Sequence, residues 1–195
     1  MGALSLRQRN SADIVSVDGT AKHPVEFKDG VALQKDRYNT ASEFLFTALT
    51  DEGVEIVIRH DTDNGCLIEG EKGRIFVNRK KLNGKPVEDL KDNPLPKDAI
   101  QKVYKNLPME KRGRGAHWLN FLHCHKNGLE PISDVHSHME MLNLCHLVGI
   151  AARLGRKVNW DASSQTITGD EIANSMLARP YREGYEIEMN AAVTN

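Results

Sequence analysis

The sequence has few cysteines, few aromatic residues and almost no net charge, and each shortage excludes a class of protein. The chain has three cysteines, an odd number, at Cys66, Cys124 and Cys145. No two of them form a Cys-x-x-Cys pair, which excludes a disulfide framework or a thiolate zinc site. Aromatic residues make up 6% of the chain, too few for a base-stacking surface. A net charge of -1 gives no general attraction to nucleic acid or an anionic membrane. We expect buried cysteines in a reducing compartment.

Long apolar segments are also missing. The most apolar region, Met139 to Leu154, is interrupted by polar residues, including Asn143, His146 and Arg153, and is too short to span a bilayer. The first residues lack the apolar core of a signal peptide, and Leu6 stands where a myristoylation motif requires Ser or Thr. We therefore expect no membrane partner and no targeting segment, which favours a cytoplasmic location.

The first half of the chain contains two pairs of β-rich segments. Glu43–Thr50 and Val54–His60 are joined by a short turn, and so are Cys66–Glu69 and Arg74–Asn78. Four strands with tight turns predict one antiparallel meander that must cover one of its faces.

The segments around these strands predict less regular structure. Ile14 to Val17 alternates as a strand would, and we expect it to stop at Asp18-Gly19. Residues 21–38 are predicted to form a loop. Residues 80–113 contain four prolines and predict a long excursion, with a short helix near Asp98 to Tyr104.

Helical patterns follow. Ala116–Asn127 is predicted as a helix ended by Gly128, with one face formed by Trp118, Phe121, Leu122 and His125. Asp134 is a typical N-cap for a second helix that ends before Gly155. Its predicted core stripe is Met141, Leu144, Leu147 or Val148, Ala151 and Leu154.

The last third predicts a strand at Lys157–Trp160, a helix at Asp170–Ala178 and a strand at Tyr185–Met189. Strands followed by helices favour an α+β fold, an open and largely antiparallel sheet with helices packed on one face. We expect one domain over residues 1–195.

Most residues that could carry chemistry also have a structural explanation. The histidines show no metal-binding spacing, and Asp61 and Asp63 lie in a segment typical of a turn. Gly113 and Gly115 begin a dinucleotide fingerprint, but Trp118 occupies its third glycine position. Neither a metal site nor a cofactor loop is therefore predicted.

Polar side chains beside breaks in predicted structure are the remaining ligand candidates. Tyr38, Asn39 and His117 occupy such positions, where ligand-contacting residues are often found. The alternative is that they are ordinary solvated surface groups.

Several motifs together resemble the C-terminal domain of the Gfo/Idh/MocA oxidoreductases, the family of glucose–fructose oxidoreductase and inositol dehydrogenase. The resemblance is to its bacterial-type branch. The motifs that carry it are Tyr38-Asn39-Thr40, Glu69-Gly70-x-x-Gly73-x-Ile75-Phe76-Val77, Asn120-Phe121-Leu122-x-Cys124, Pro131-Ile132-x-Asp134-Val135, Cys145-His146-Leu147, Arg153-Leu154-Gly155-Arg156-Lys157-x-x-Trp160-Asp161, Gly169-Asp170-Glu171-x-Ala173-Asn174 and Arg179-Pro180.

This resemblance implies a domain that supplies one wall of a substrate pocket and a surface for oligomerisation. It adds His138, which matches a family position, to the substrate-side candidates Tyr38, Asn39 and His117. The family binds NAD or NADP on an N-terminal Rossmann domain, which supplies a lysine in a Glu-Lys-Pro motif. The Glu-Lys-Pro motif does not occur here. We expect no catalytic residue, no bound cofactor and no metal in this chain, which would be inactive alone.

Three hypotheses follow. The chain is the C-terminal domain of an NAD(P)-dependent sugar or polyol oxidoreductase that forms a homo-oligomer through its sheet face. Alternatively, it is a stand-alone carbohydrate-binding or assembly module that kept the scaffold without catalysis. The third alternative is a histidine-based metal enzyme.

Overall fold

The computed structural model describes residues 13–99 and 116–186. The chain divides into two compact units, one formed by Met1–Asp61 with Met141–Asn195 and the other by Thr62–Glu140. The prediction of one domain over the whole chain stays a prediction.

The strands and helices of the described residues are as follows. The strands are β1 (Ile14–Lys22), β2 (Phe27–Lys28), β3 (Val31–Ala32), β4 (Glu43–Thr50), β5 (Glu55–Arg59), β6 (Cys66–Gly70), β7 (Gly73–Val77), β8 (Leu82–Asn83), β9 (Val158–Asp161) and β10 (Thr166–Thr168). The helices are α1 (Lys85–Glu88), a 3₁₀ helix (Asp89–Lys91), α2 (Ala116–Asn127), α3 (Val135–Leu154) and α4 (Glu171–Ser175).

The first unit contains a five-stranded sheet in the order β10-β9-β1-β4-β5, and every neighbouring pair is antiparallel. The second unit contains the antiparallel sheet β6-β7-β8. The predicted α+β class is confirmed, since these antiparallel sheets are accompanied by helices. The bounds of β4 are those predicted, and β5, β6 and β7 agree to within one residue at each end.

The prediction of a single four-strand meander is wrong. Strand β4 lies between β1 and β5, and β5 forms an edge of this sheet. Strands β6 and β7 belong to a different sheet. The connection from β5 to β6 is the bent segment that contains Asp61 and Asp63, which is not a two-residue hairpin turn. Strands β1 and β4 are far apart in the sequence, so turn motifs, which indicate pairing only between consecutive strands, did not predict that they pair.

The prediction that β1 stops at Asp18-Gly19 is also wrong, because the strand continues to Lys22. Gly19 lies opposite Phe46 on β4. A Cβ atom at Gly19 would lie 2.2 Å from the Leu45 carbonyl oxygen and 2.6 Å from the Phe46 Cα atom. Glycine at this position therefore permits the close approach of the neighbouring strand instead of ending β1.

The predicted loop at residues 21–38 contains the end of β1 and the hairpin β2–β3. Its turn residues Asp29 and Gly30 have φ values of 50° and 77°, the positive range of a type I′ turn. An Asp-Gly pair is a strong hairpin signal, but the flanking strands are only two residues long, so the usual alternation is missing.

The structure differs from the predictions in several of the less regular segments. The excursion at 80–113 begins with β8, α1 and the 3₁₀ helix, whereas most of the predicted helix near Asp98 to Tyr104 lies outside the described residues. Strand β10 was not predicted. Tyr185 and Glu186 are not in a strand, and the rest of the strand predicted there lies outside the described residues.

The core of the first unit lies between one sheet face and helices α3 and α4, as predicted. It contains Val17, Phe46, Ala48, Val158 and Ile167 from the sheet, Leu144, Leu147, Ile150 and Ala151 from α3, and Ala173 from α4. The predicted stripe of α3 is correct at its later positions, but Met141 is 64% exposed. Ile150 was not part of the predicted stripe, but it is buried in the core one position before Ala151.

Helix α2 has the predicted bounds, but the predicted face is the exposed one. Trp118 and Phe121 are 70% and 53% exposed, whereas Asn120 and Cys124 are buried. The Asn120 Oδ1 atom accepts a hydrogen bond from the Ile132 amide at 3.0 Å, and the Cys124 thiol donates to the Glu130 carbonyl at 3.3 Å. The spacing of apolar residues along α2 favoured the aromatic face. Spacing cannot show that the loop containing Glu130 and Ile132 packs on the opposite side of the helix.

The expectation that all three cysteines are buried is confirmed for Cys124 only. Cys66 and Cys145 are free and exposed. Cys66 is at the start of β6, whose residues are all exposed, and Cys145 lies next to the buried stripe of α3 on its outer side.

Replacing Leu147 by alanine tests the core of the first unit. Leu147 is 1% exposed, so the variant should lose about 2–5 kcal/mol of unfolding free energy through lost burial and the cavity left behind. Urea denaturation measures the loss. Leu142→Ala on the same helix is the control: Leu142 is 54% exposed, and its replacement should change stability by no more than about 0.5 kcal/mol. Equal losses in the two variants would contradict the assigned core.

Candidate functional site

The segment carrying Tyr38 and Asn39 is exposed and belongs to the first unit. The Tyr38 side chain is 78% exposed. The Asn39 carbonyl oxygen lies 3.1 Å from His23 Nδ1, and the other ring nitrogen of His23 lies 3.3 Å from the Ala152 carbonyl oxygen of α3. His23 thus links the backbone of this segment to the end of α3.

His117 and His138 belong to the second unit. His117 is in the first turn of α2 and is exposed. The His138 Nδ1 atom lies 2.9 Å from the Asp134 carbonyl oxygen. A carbonyl can only accept, so Nδ1 carries the proton, and in the neutral ring Nε2 keeps its lone pair. The exposed position of His138 leaves this Nε2 accessible to a ligand.

Asp134 fixes the start of α3, as predicted. Its Oδ1 atom accepts from the amides of His136 and Ser137 at 2.9 and 3.0 Å, and its Oδ2 atom accepts from the Ser137 hydroxyl at 2.8 Å. These hydrogen bonds lower the pKa of Asp134, with those from Ser137 the largest cause. The cap orients the helical turn from which His138 projects.

The predicted candidates therefore fall into two pairs. Tyr38 and Asn39 share one segment of the first unit. His117 on α2 and His138 in the first turns of α3, before Met141, belong to the second unit. Their use as substrate contacts stays a prediction.

The sequence did not predict a cavity of about 430 Å³ in the first unit. Helix α3 forms one wall, and the residues that follow α4 form another. The lining residues are Asn143, Cys145, His146, Leu147, Gly149, Ile150, Arg153, Trp160, Gln165, Met176, Leu177 and Arg179. Asn143, His146 and Arg153 are spaced at three and seven residues along one face of α3, so this polar row was visible in the sequence.

The position of α4 beside this cavity is fixed by two side chains. Asp170 caps α4 by accepting from the Ala173 amide at 3.0 Å, and it forms a bidentate ion pair with Arg156 at 2.6 and 2.9 Å. The Asn174 Oδ1 atom accepts from the Ile167 amide of β10 at 2.9 Å. The Gly-Asp-Glu-x-Ala-Asn motif is thus explained by helix capping and by attachment to the sheet.

An ion pair accounts for Asp61 in the segment after β5. Arg59 binds Asp61 in a bidentate pair at 2.7 and 2.8 Å, and this contact lowers the pKa of Asp61 to about 2.

Over residues 13–99 and 116–186, no three His, Cys, Asp or Glu side chains are grouped so as to hold a metal ion. None of the helices within those ranges has the length and apolar character required to span a membrane.

Comparison with known protein families gives a match to the model described as the oxidoreductase family, C-terminal alpha/beta domain (Gfo/Idh/MocA), over residues 14–187. The chain belongs to this family. The match spans both units and confirms the resemblance found in the sequence motifs. No curated protein and no solved structure matches the chain significantly.

The pH dependence of stability tests the anchoring of α4 in this Gfo/Idh/MocA domain. The Arg156 contact lowers the pKa of Asp170 from 3.8 to about 2. The stabilisation by this carboxylate should be complete above about pH 4 and should be lost as the pH falls toward 2. Urea midpoints of Asp170→Asn should therefore lie below those of the unchanged chain at pH 6, and the difference should shrink by pH 3.

A second variant separates the ion pair from the cap. Asparagine retains a capping oxygen, so the pH-dependent part of the difference in urea midpoint reports on the lost charge of Asp170. In an Arg156→Gln background, the effect of Asp170→Asn at pH 6 should be much smaller. A difference that is constant between pH 6 and 3, or unchanged in that background, would contradict the assignment.

Proposed function

We propose that this chain is the substrate-wall and oligomerisation domain of an NAD(P)-dependent sugar or polyol oxidoreductase, and that it is not catalytically competent alone. The family match over residues 14–187 is the observation that carries the proposal. The coarser part, that this is a C-terminal domain of an oxidoreductase family, is already established by that match.

The nature of the sheets supports a separate nucleotide-binding domain. A Rossmann fold holds the pyrophosphate at a helix N-terminus after a parallel β-strand. All strand pairs within the described residues are antiparallel. Hydride transfer requires a cofactor held against the substrate, and the sequence has no Glu-Lys-Pro motif to contribute to that reaction. In this proposal, NAD or NADP is bound by a Rossmann domain outside this chain.

The substrate wall is assigned to the exposed polar groups. The Tyr38 hydroxyl can donate to and accept from a sugar hydroxyl, and the Asn39 side chain offers both functions as well. The His138 Nε2 atom, left free by the Asp134 contact, can accept a hydroxyl proton. His117 is exposed at the start of α2. Their proposed role is to orient a polyol, not to perform hydride transfer.

The oligomerisation surface is assigned to the sheet face opposite the core of the first unit. On this face β4 and β5 present Leu45, Leu49 and Val57, which are 49%, 38% and 51% exposed. A sheet face that remains in water normally carries polar residues. Val57 lies opposite Thr47 in the ladder, so Leu45 and Leu49 are its diagonal neighbours, and these two leucines lie opposite Arg59 and Glu55. A second copy of this face would bury the apolar side chains.

The alternative function is a stand-alone carbohydrate-binding or assembly module on the same scaffold. It shares the oligomer and the exposed polar wall with the first proposal, but it requires no cofactor-binding partner domain. Carbohydrate binding to the isolated chain with no dependence on a nucleotide would favour this alternative.

Isothermal titration calorimetry with NAD⁺, NADH, NADP⁺ and NADPH tests the cofactor part of the proposal. The isolated chain should give no saturable heat, because the glycine-rich phosphate loop is missing from its sequence. A complete NAD-dependent dehydrogenase provides the positive control. Saturable micromolar binding of any of the four nucleotides to this chain would contradict the proposal.

Sedimentation velocity of Val57→Lys tests the oligomerisation surface. A lysine there would be buried without a partner, so the dissociation constant of the oligomer should rise by more than about 100-fold. Val31→Lys is the matched control, since Val31 is 62% exposed on β3, outside the five-stranded sheet. A chain that remains monomeric at high concentration, or equal effects of the two variants, would rule out this surface.

A further inference from the structure

The cavity between α3 and the segment after α4 has the size of a small-molecule site. Its volume of about 430 Å³ lies in the range typical of ligand pockets, about 300–1,000 Å³. Its walls are attached to the core, since Leu147 and Ile150 are buried and α4 is held to β10 by the Asn174–Ile167 hydrogen bond.

The charged groups around the cavity are all basic. Arg153 and Arg179 line it together with His146, and its lining contains no Asp or Glu. Within the described residues neither arginine forms an ion pair, whereas the nearby Arg156 is paired with Asp170. Both arginines are exposed and have no counter-ion among the described residues, so their guanidinium groups are available to a ligand oxyanion, which a planar fork of N–H donors binds in bidentate form.

The remaining lining residues favour an organic ligand over a simple ion. Trp160 is half-buried at the cavity, and Leu147, Ile150, Met176 and Leu177 add apolar surface. Asn143 and Gln165 supply neutral amide groups. An apolar floor with a few polar groups around it is the usual composition of a small-molecule site.

We propose that this cavity binds a small organic molecule through its phosphate or carboxylate group, with Arg153 and Arg179 contacting the oxyanion and Trp160 contacting the organic part. Arg153 and Trp160 lie within one of the motifs that carry the family resemblance, and His146 and Arg179 lie within two others. The proposal does not rest on the proposed function, because it uses none of the substrate-side candidates.

Trp160 fluorescence provides a direct test of binding. The chain has two tryptophans, and Trp118 is 70% exposed on α2, so Trp118→Phe leaves Trp160 as the only reporter. Phenyl phosphate and benzoate should each change its emission saturably. Inorganic phosphate and acetate should bind more weakly, because they lack the apolar part. Benzyl alcohol, which is neutral, should give no saturable change. Comparison of phenyl phosphate with benzoate identifies the preferred oxyanion.

Two double variants in the Trp118→Phe background separate the site from general charge. Arg153→Gln with Arg179→Gln should weaken phenyl phosphate binding by at least about 10-fold through the lost charged hydrogen bonds. Lys28→Gln with Lys157→Gln removes the same charge from exposed positions outside the cavity and should change affinity by less than about 2-fold, because such charges are screened. Circular dichroism establishes that both variants remain folded.

Equal weakening in the two double variants would show that net charge, not the cavity, attracts the anion. Calorimetry complements the fluorescence, and the proposal fails if neither method detects saturable binding of either aromatic anion. Equal binding of benzyl alcohol would also overturn it, because the arginines would then have no role. Failure here would leave the cofactor and oligomer tests of the proposed function unaffected.

Discussion

The packing of one face of α3 on β1, β4 and β9 is the contact on which the first unit depends. Leu144, Leu147, Ile150 and Ala151 lie on successive turns of the helix and cover Val17, Phe46, Ala48 and Val158 on the sheet. An amphipathic helix and a half-covered sheet are each unstable alone, so the two must form together. The opposite sheet face and the cavity beside α4 are both defined by this contact.

Local patterns in the sequence were sufficient to predict most of the regular structure. The β-rich composition of Glu43–Thr50 and the N-cap residue Asp134 report directly on local backbone structure, and the structure follows both. Non-local pairing was not predictable in this way. Gly19 has the appearance of a strand end, yet it is required by the approach of Phe46 on a strand that is distant in sequence.

Prediction of the candidate site was limited for the same reason. The positions of Tyr38, Asn39, His117 and His138 beside breaks in structure were predictable, but their assignment to two units required the three-dimensional contacts. The cavity combines residues of α3, β9 and the segment after α4. Its polar row on α3 was visible as interruptions of an apolar segment, but nothing local indicates that Arg179 would join that row.

Native-state hydrogen exchange tests most directly the claim that α3 and the sheet of the first unit form a single cooperative core. Amides of β1, β4 and β9 and those of α3 from Leu144 onward should exchange most slowly, with one shared opening free energy equal to that of global unfolding. The account would be contradicted if these α3 amides opened at a much lower free energy than the strands, because the helix would then leave the sheet without unfolding it.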